Sequence, residues 1–366
     1  MSTGVSADEI VPKVRGRLGV ITLNRPRALN ALNLNMVEQL EVILADWANN
    51  PAIDAVLLRS ASERAFCAGG DMRVLGTVSD IAERTAMARA FFGTEYRVNY
   101  RINTFPKPFI SLINGVAMGG GLGLSIHGSH RIVSEDLRMA MPETILGLFP
   151  DVGGTWFLNR CPGALGRYLA LIGPHLGAAD ALIAKLATHH VRLSDFAALT
   201  EALATAPRLD GSSVDAILTH HATSIEGGML DERRIKIDSM FGQDNLDVVV
   251  AAIDAHASDE AWIGEAQSVI RRASPTSLLA TWRRMVEGKG QSIKRVLSDD
   301  FRMAMRIICS HDFVEGVRAI LVDKDQSPRW NPASLEDVGA DRIDALLDPF
   351  SENGPVNGEI SLKSSL

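Results

Sequence analysis

A short apolar run, then a turn, then a helical pattern recurs three times in the first 141 residues, and this order constrains the fold more than any other feature. Residues 19–23 (GVITL) predict a strand that ends at Asn24-Arg25-Pro26, and residues 33–49 place apolar side chains at helical spacing. The second pass has a strand at 55–58, a small-residue loop at 65–71 (AFCAGGD) and a helical pattern up to 104. The third has a strand at 109–113, a glycine-rich loop at 115–123 (GVAMGGGLG), a helix near 122–127 and a strand around 130–141. This alternation predicts an α/β fold of stacked strand–helix units.

Helical patterns dominate after Pro150 and cover residues 156–172, 178–187, 246–253 and 275–287. Turn-forming residues cluster at 208–213 and 226–228, which are candidate linkers. We therefore divide the 366 residues into an α/β core at 10–205, a mainly helical C-terminal region at 206–350 and a tail at 351–366 that we expect to be disordered.

Charge and composition exclude several kinds of partner. With 37 Lys and Arg against 44 Asp and Glu, the net charge of −7 offers no electrostatic basis for binding nucleic acid or an anionic membrane. The uncharged run at 109–130 contains six glycines, so we interpret it as a buried strand and turn rather than a membrane span. Three scattered cysteines, and His pairs without i, i+4 spacing, predict no disulfide framework and no metal site. The first ten residues contain two acids and no apolar segment, which predicts a cytoplasmic protein.

Two glycine-bearing loops are candidates for binding an oxyanion. Ala68 follows a predicted strand in AFCAGGD, and Gly120 begins a predicted helix, where backbone N–H groups lack internal partners. Fixed N–H donors of this kind polarise a carbonyl group, and small residues allow a substrate to approach closely. A glycine triplet is more often a tight turn or a close helix–sheet contact, so the pattern alone leaves both interpretations open.

Two carboxylates lie in an otherwise apolar segment, MPETILGLFPDVGG. Burial would raise the pKa of Glu143 and Asp151 and suit either residue to act as a nucleophile or general base. Structural roles are also open: Glu143 follows a proline and fits the first turn of a helix, and Asp151 could cap a helix that begins near Thr155.

Four motifs in order, LNRPRALNAL, AFCAGGD, NGVAMGGGLGLS and MPETILGLFPDVGG, resemble the enoyl-CoA hydratase/isomerase (crotonase) superfamily. The PDVGG form, with SPTSL at 274–278 and HDFVEGVRAILVDKDQSPRW at 311–330, is similar to the branch that hydrolyses 3-hydroxyisobutyryl-CoA in valine breakdown. The resemblance implies a crotonase-like spiral of repeated ββα units with a helical C-terminal region. It also implies an acyl-CoA bound in a bent shape between the two glycine loops, including Gly69.

The resemblance assigns roles to individual residues. Ala68 and Gly120 would form the oxyanion hole, and Glu143 would be the catalytic carboxylate, with Asp151 as the added acid of the hydrolases. Where hydratases carry a further catalytic glutamate, this sequence has Gly123, which disfavours hydration because adding water to a double bond needs two carboxylates.

Three further residues belong to the substrate site in the resemblance. Glu95 matches a residue near the acyl pocket, although alone it is typical of an exposed helix. Arg27 and Ala28 match positions that contact the CoA nucleotide, where an arginine can pair with phosphate.

The resulting hypothesis is an acyl-CoA thioester hydrolase that needs no cofactor, because CoA is part of its substrate. Glu143 would either attack the thioester or activate water. A hydratase or isomerase acting on another acyl-CoA, and a non-catalytic acyl-CoA-binding protein, are the alternatives. The sequence also leaves open the choice between 3-hydroxyisobutyryl-CoA and 3-hydroxypropionyl-CoA, and assembly into a homo-oligomer.

Overall fold

The computed structural model describes residues 8–348 and 360–362. Its strands are β1 (Ile10–Arg15), β2 (Leu18–Leu23), β3 (Ala55–Ser60), β4 (Ala65–Cys67), β5 (Phe109–Ile113), β6 (Val116–Met118), β7 (His130–Val133), β8 (Arg138–Ala140) and β9 (His189–His190). Its α-helices are α1 (Leu34–Asn49), α2 (Met72–Thr77), α3 (Ile81–Asn103), α4 (Gly120–Ser125), α5 (Gly154–Leu158), α6 (Leu165–Ile172), α7 (Ala178–Ile183), α8 (Phe196–Thr205), α9 (Gly211–His221), α10 (Met229–Phe241), α11 (Leu246–His256), α12 (Ala261–Arg272), α13 (Pro275–Glu287), α14 (Ile293–Ile307), α15 (His311–Val317) and α16 (Ala340–Leu347). Short 3-10 helices span Pro26–Ala28, Glu143–Leu146 and Leu193–Asp195, and a π-helical turn spans Arg318–Val322.

A six-stranded sheet forms the base of the α/β part, in the order β1-β2-β3-β5-β7-β9. β1 is antiparallel to β2, and the other pairs are parallel. Alternate side chains enter two cores: Ile21 and Leu23 belong to the larger cluster, which includes residues of α1 and α3, whereas Leu18 and Val20 face residues of α8 and α9. Burial on both faces explains the near-continuous apolar runs in β2, β3 and β5.

A second sheet positions the glycine loops. It contains the short parallel strands β4, β6 and β8, in that order. Because neighbouring parallel strands end at the same edge, the segments after Cys67, Met118 and Ala140 come together there. These segments carry AGG, GGG and the glutamate of MPET, and their convergence creates the candidate site.

The predicted α/β class and crotonase-like architecture are confirmed. Two local predictions are wrong. The strand expected around 130–141 is two strands, β7 and β8, which belong to different sheets. The helix expected at 156–172 is divided into α5 and α6, because the segment between them contains Pro162, which has no N–H, and Gly163, with a φ of 53°.

The C-terminal helices pack back against the site. The Ser274 N–H donates to the Thr144 carbonyl at 3.0 Å, and a Cβ built on Gly316 would lie 2.3 Å from the Leu146 carbonyl oxygen. α13 and α15 therefore hold the 3-10 helix that begins at Glu143.

The division of the chain at 205 remains a prediction. Val214 and Leu218 of α9 share the smaller core with the sheet. Residues 1–7, 349–359 and 363–366, which carry part of the N-terminal and tail predictions, lie outside the described residues. Within the described ranges, no helix is both long enough and apolar enough to cross a bilayer.

Candidate active site

The two glycine turns lie against each other at the ends of β4 and β6. A Cβ built on Gly69 would be 3.4 Å from the Gly120 nitrogen. Gly119 has a φ of 47° and approaches a Glu143 carboxylate oxygen so closely that an added Cβ would lie 2.9 Å from it. The triplet is therefore a tight turn, as one of the two sequence interpretations has it, and it also lies close to a candidate catalytic group.

The prediction that Ala68 supplies an oxyanion donor is not supported by the geometry. The Ala68 N–H donates to the Leu29 carbonyl at 3.0 Å, so it is occupied. Gly70, two residues later, forms a β-bridge with Leu32, but the hydrogen bonds of this bridge are made by its neighbours. The Leu32 N–H donates to the Gly69 carbonyl, and the Asp71 N–H donates to the Leu32 carbonyl. The Gly70 N–H takes no part in this bridge.

The free donors are at Gly70 and Gly120. Neither N–H has a hydrogen-bond partner in the part of the chain that the structure describes, and the Gly70 nitrogen lies 3.3 Å from a Cβ built on Gly120. Gly120 thus remains a candidate donor as predicted, and Gly70 replaces Ala68.

A cavity of about 260 Å³ opens beside these turns. It brings together six of the predicted site residues: Ala68, Gly69, Glu95, Gly120, Glu143 and Asp151. Apolar side chains enclose the rest, including Phe92, Leu148, Ile320 and Leu321. Among the described residues that line it, three are carboxylic acids and none is Lys, Arg or His.

Glu143 is buried in the first turn of the 3-10 helix Glu143–Leu146, so its proposed structural position is correct, yet its side chain faces the cavity. Its Oε2 atom has no hydrogen-bond partner among the described residues. Burial, and secondarily the charge of Asp151, raise its pKa well above the ordinary glutamate value. An unpaired carboxylate here is a strong base when ionised.

Asp151 does not cap a helix, because α5 has Gly153 at its N-cap with no side-chain hydrogen bond. Its Oδ2 atom instead accepts a 2.6 Å hydrogen bond from the Tyr96 hydroxyl. Burial raises the pKa of Asp151 to about 7, although the Tyr96 bond opposes this shift. Asp151 therefore titrates near neutral pH.

Glu95 is buried, contrary to its interpretation as an exposed helix carboxylate. Its Oε1 atom is unpaired among the described residues and would lie 2.3 Å from a Cβ on Gly120. Burial, together with the charge of Asp151, raises its pKa well above the usual range. The side chain thus reaches the turn that offers the free Gly120 N–H.

Gly123 offers no second acid, and the space beside it is occupied. A Cβ built there would lie 2.8 Å from the Val152 Cβ and 2.9 Å from the Asn99 Nδ2 atom. A larger side chain at this position would require both neighbours to move.

Arg27 and Ala28 do not line the cavity. They lie in the 3-10 helix Pro26–Ala28, which precedes the Leu29 carbonyl that anchors Ala68. Arg27 is exposed and forms no side-chain hydrogen bond or ion pair with any described residue. The nucleotide contact predicted for this segment stays a prediction.

Comparison with known proteins identifies the family. A model of the enoyl-CoA hydratase/isomerase family matches residues 18–347. The chain belongs to the enoyl-CoA hydratase/isomerase family. Among its relatives, the mitochondrial 3-hydroxyisobutyryl-CoA hydrolase of Homo sapiens is 39% identical over 338 residues, covering 91% of this chain and 86% of that protein. The Bos taurus protein of the same name is 40% identical over 353 residues, covering 95% and 90%.

Two solved members of the family have the same fold over nearly the whole chain. An enoyl-CoA hydratase from Rhodobacter sphaeroides has a TM-score of 0.85 at 37% identity, covering 93% of this chain and 98% of its own. A carnitinyl-CoA dehydratase from Mycobacterium thermoresistibile has a TM-score of 0.87 at 36% identity, covering 98% and 99%. The names of these relatives span different reactions, so the site residues must decide between them.

Sequence reasoning missed several residues at this family member's site, among them Gly70, Tyr96, Ile320 and Leu321. Gly70 is contained in the motif that was identified, but only the pairing of its neighbours shows that its N–H is free. Tyr96 follows Glu95 directly and was not considered. Ile320 and Leu321 enter the cavity from a π-helical turn, a feature frequent at functional sites that has no simple sequence pattern.

Proposed function

We propose that this chain hydrolyses the thioester of 3-hydroxyisobutyryl-CoA to 3-hydroxyisobutyrate and CoA. The observation that carries the proposal is the pairing of Glu143 and Asp151 in one cavity with two free backbone donors, while Gly123 leaves no place for the second acid of a hydratase. Relatives with the hydrolase name at about 40% identity support the same choice.

The thioester carbonyl would accept hydrogen bonds from the Gly70 and Gly120 N–H groups, where negative charge develops during attack. The rigid turns hold these donors in place before the substrate arrives, so no reorganisation is needed at the moment of reaction. The removal of one such donor costs about 10²–10³ in rate in other enzymes.

Glu143 would supply the attacking oxygen or activate it. In the covalent route its carboxylate attacks the carbonyl carbon, the C–S bond breaks, CoA leaves as the thiol after gaining a proton, and water hydrolyses the resulting anhydride. In the direct route Glu143 takes a proton from water as the oxygen of that water attacks the carbonyl carbon; the C–S bond then breaks, and CoA leaves as the thiol with the proton from Glu143. Hydroxylamine traps the anhydride of the covalent route as a Glu143 hydroxamate.

Asp151 would accept a hydrogen bond from the substrate's 3-hydroxyl or assist the proton transfer. No cofactor is required in either route. Arg27 and Ala28 would contact the CoA nucleotide, since the Arg27 guanidinium has no partner among the described residues and can pair with phosphate. A cytoplasmic location remains a prediction from the N-terminal sequence, and the cited relatives carry the word mitochondrial in their names.

The test is CoA thiol release over a panel of 3-hydroxyisobutyryl-, 3-hydroxypropionyl-, isobutyryl- and crotonyl-CoA. We expect the wild type to favour the two 3-hydroxyacyl thioesters and to hydrate crotonyl-CoA negligibly. Glu143→Gln should remove nearly all thiol release, because the amide keeps the shape but lacks the charge and basicity. Glu63→Gln, which changes an exposed glutamate outside the cavity, is the matched control. Hydration at a rate comparable with thioester cleavage would favour the hydratase alternative.

A further inference from the structure

The Tyr96 side chain lies behind Asp151 and is fixed in place. Tyr96 is fully buried, with its ring centroid 5.7 Å from that of Phe92 and 6.5 Å from that of Phe301. Its hydroxyl donates to the Asp151 Oδ2 atom at 2.6 Å. A ring packed between two others cannot follow Asp151 if that side chain rotates, so the hydroxyl is a fixed reference point for the carboxylate.

The main chain that carries Asp151 is strained and held separately. Val152 has a φ of 49°, which is rare for a β-branched residue, and Gly153 has a φ of 84°. The Val152 carbonyl lies 2.8 Å from the His127 Nε2 atom, and the Gly153 N–H donates to the Asp300 Oδ2 atom at 2.9 Å. Burial lowers the pKa of His127 to about 4, so the ring is neutral at pH 7 and donates through Nε2.

The main chain beside Asp151 and the Asp151 side chain are held by different residues. His127 and Asp300 fix the turn, but neither bonds the Asp151 carboxylate. Within the described residues, Tyr96 is the side chain that does so, and it uses Oδ2, leaving Oδ1 without a side-chain donor. Oδ1 is the atom that can face a substrate in the cavity that Asp151 lines.

We propose that Tyr96 is a positioning residue for Asp151: its hydroxyl binds Oδ2 and orients the carboxylate in the cavity toward the substrate's 3-hydroxyl. This inference rests on the proposed hydrolase reaction.

The charges around Asp151 explain why such a donor is needed. Glu95 on α3, Glu143 on the 3-10 helix and Asp300 on α14 are all acidic, and Asp300 is itself paired with Arg284 of α13 at 2.9 Å. Burial and the charge of Asp300 favour the protonated form of Asp151, whereas a hydrogen bond donated by Tyr96 favours the carboxylate and lowers the pKa. Without the hydroxyl, the pKa of Asp151 would rise further above its usual value.

The test compares Tyr96→Phe with Tyr100→Phe, a control on the same helix that does not line the cavity. Three readouts follow kcat/KM between pH 5 and 9. For 3-hydroxyisobutyryl-CoA, Tyr96→Phe should lose about 10-fold or more near pH 7, the usual effect of removing a hydrogen bond to a charged group. The preference of Tyr96→Phe for 3-hydroxyisobutyryl-CoA over isobutyryl-CoA should be smaller than that of the wild type. The acidic limb of its pH profile should move to higher pH. Tyr100→Phe should behave as wild type in all three.

A second comparison keeps the test decisive if Tyr96→Phe is less stable. In the Asp151→Ala background, which removes the acceptor of the Tyr96 hydrogen bond, adding Tyr96→Phe should cause no further loss of kcat/KM, because Tyr96 acts through the Asp151 side chain. Losses that multiply, or an unshifted pH profile with equal slowing of both substrates, would overturn the positioning role. The proposed function would fail separately, if the wild type released no CoA from any 3-hydroxyacyl thioester.

Discussion

Gly120 is a residue at which the site leaves no space for a side chain. A Cβ there would lie 2.3 Å from the Glu95 Oε1 atom and 3.3 Å from both the Gly70 nitrogen and the Leu32 Cδ1 atom. We expect Gly120→Val to reduce kcat by at least about 10²-fold, because a β-branched side chain would displace the turn or block the approach to its N–H. Gly177→Ala is the control, since a Cβ there would meet no atom of the described residues within 4 Å. Wild-type turnover in Gly120→Val would place the oxyanion donors elsewhere.

Asp151 should determine the preference for a hydroxylated acyl group. A buried acceptor paired with the 3-hydroxyl is left unsatisfied when the ligand lacks it, so 3-hydroxyisobutyryl-CoA should be favoured over isobutyryl-CoA. Asp151→Asn should shrink this ratio of kcat/KM values about 10-fold, because hydrogen bonds to charged groups are stronger than those to an amide. Equal slowing of both substrates would assign Asp151 to proton transfer alone, and unchanged kinetics would exclude it from the site.

The limits of prediction at this scale follow from distance along the chain. Glu143 and Asp151 were recognisable because acids in an apolar segment are costly. Whether the Ala68 N–H is free depends on the Leu29 carbonyl, 39 residues earlier, and no local pattern records that bond. Glu95 was ambiguous for a similar reason: α3 alone does not reveal that the Gly120 turn covers this residue.

At the level of elements, buried strands were the most predictable part. β2, β3 and β5 are apolar because both sheet faces are covered, and their sequences show it directly. The division of the strand expected at 130–141 was harder to predict, because the change of sheet between Val133 and Arg138 depends on tertiary contacts rather than on local sequence. The break between α5 and α6 has a local cause, Pro162-Gly163, and this dipeptide is a turn signal that is visible in the sequence.

Arg284 should be the main electrostatic connection between α13 and α14. It is buried and pairs with Asp299 at 3.0 Å and with the fully buried Asp300 at 2.9 Å. We expect Arg284→Met to lower the free energy of unfolding by about 3–5 kcal/mol, because an uncompensated carboxylate would remain buried. Urea unfolding checks this, with the adjacent Arg283→Met as control.

Arg283 pairs with Glu287 and Asp344 at the surface, where ion pairs contribute about 0–1 kcal/mol. Similar losses in the two variants would show that the buried pair has no special weight. Because Asp300 also accepts a hydrogen bond from the Gly153 N–H, beside Asp151, we expect Arg284→Met to lower the activity as well as the free energy of unfolding.

For the whole molecule, the buried acids of the cavity, which the proposed reaction uses, lower the stability of the fold when they ionise. Burial raises the pKa of Glu95, Glu143 and Asp151 above their values in an unfolded chain. At low pH all three are protonated in both states and do not affect folding. As the pH rises, the unfolded chain releases these protons first, so unfolding becomes more favourable. These three groups therefore leave the stability unchanged below about pH 4 and lower it as the pH rises from there through the folded-state pKa values.

The effect of Asp151 on stability should fall in a defined pH range, because burial raises its pKa to about 7. Asp151→Asn cannot ionise, and its amide oxygen can still accept the Tyr96 hydrogen bond. We expect the variant to be more stable than wild type by about 1–3 kcal/mol at pH 8, and the difference to disappear near pH 4. Asp210→Ala is the contrasting control: its carboxylate caps α9 at the Ser213 N–H, and this bond lowers its pKa to about 2. Its removal should destabilise the protein equally from pH 5 to pH 8, because Asp210 is ionised throughout. Urea unfolding at four pH values measures both, and a pH-independent effect of Asp151→Asn would mean that this carboxylate is not strained by its burial.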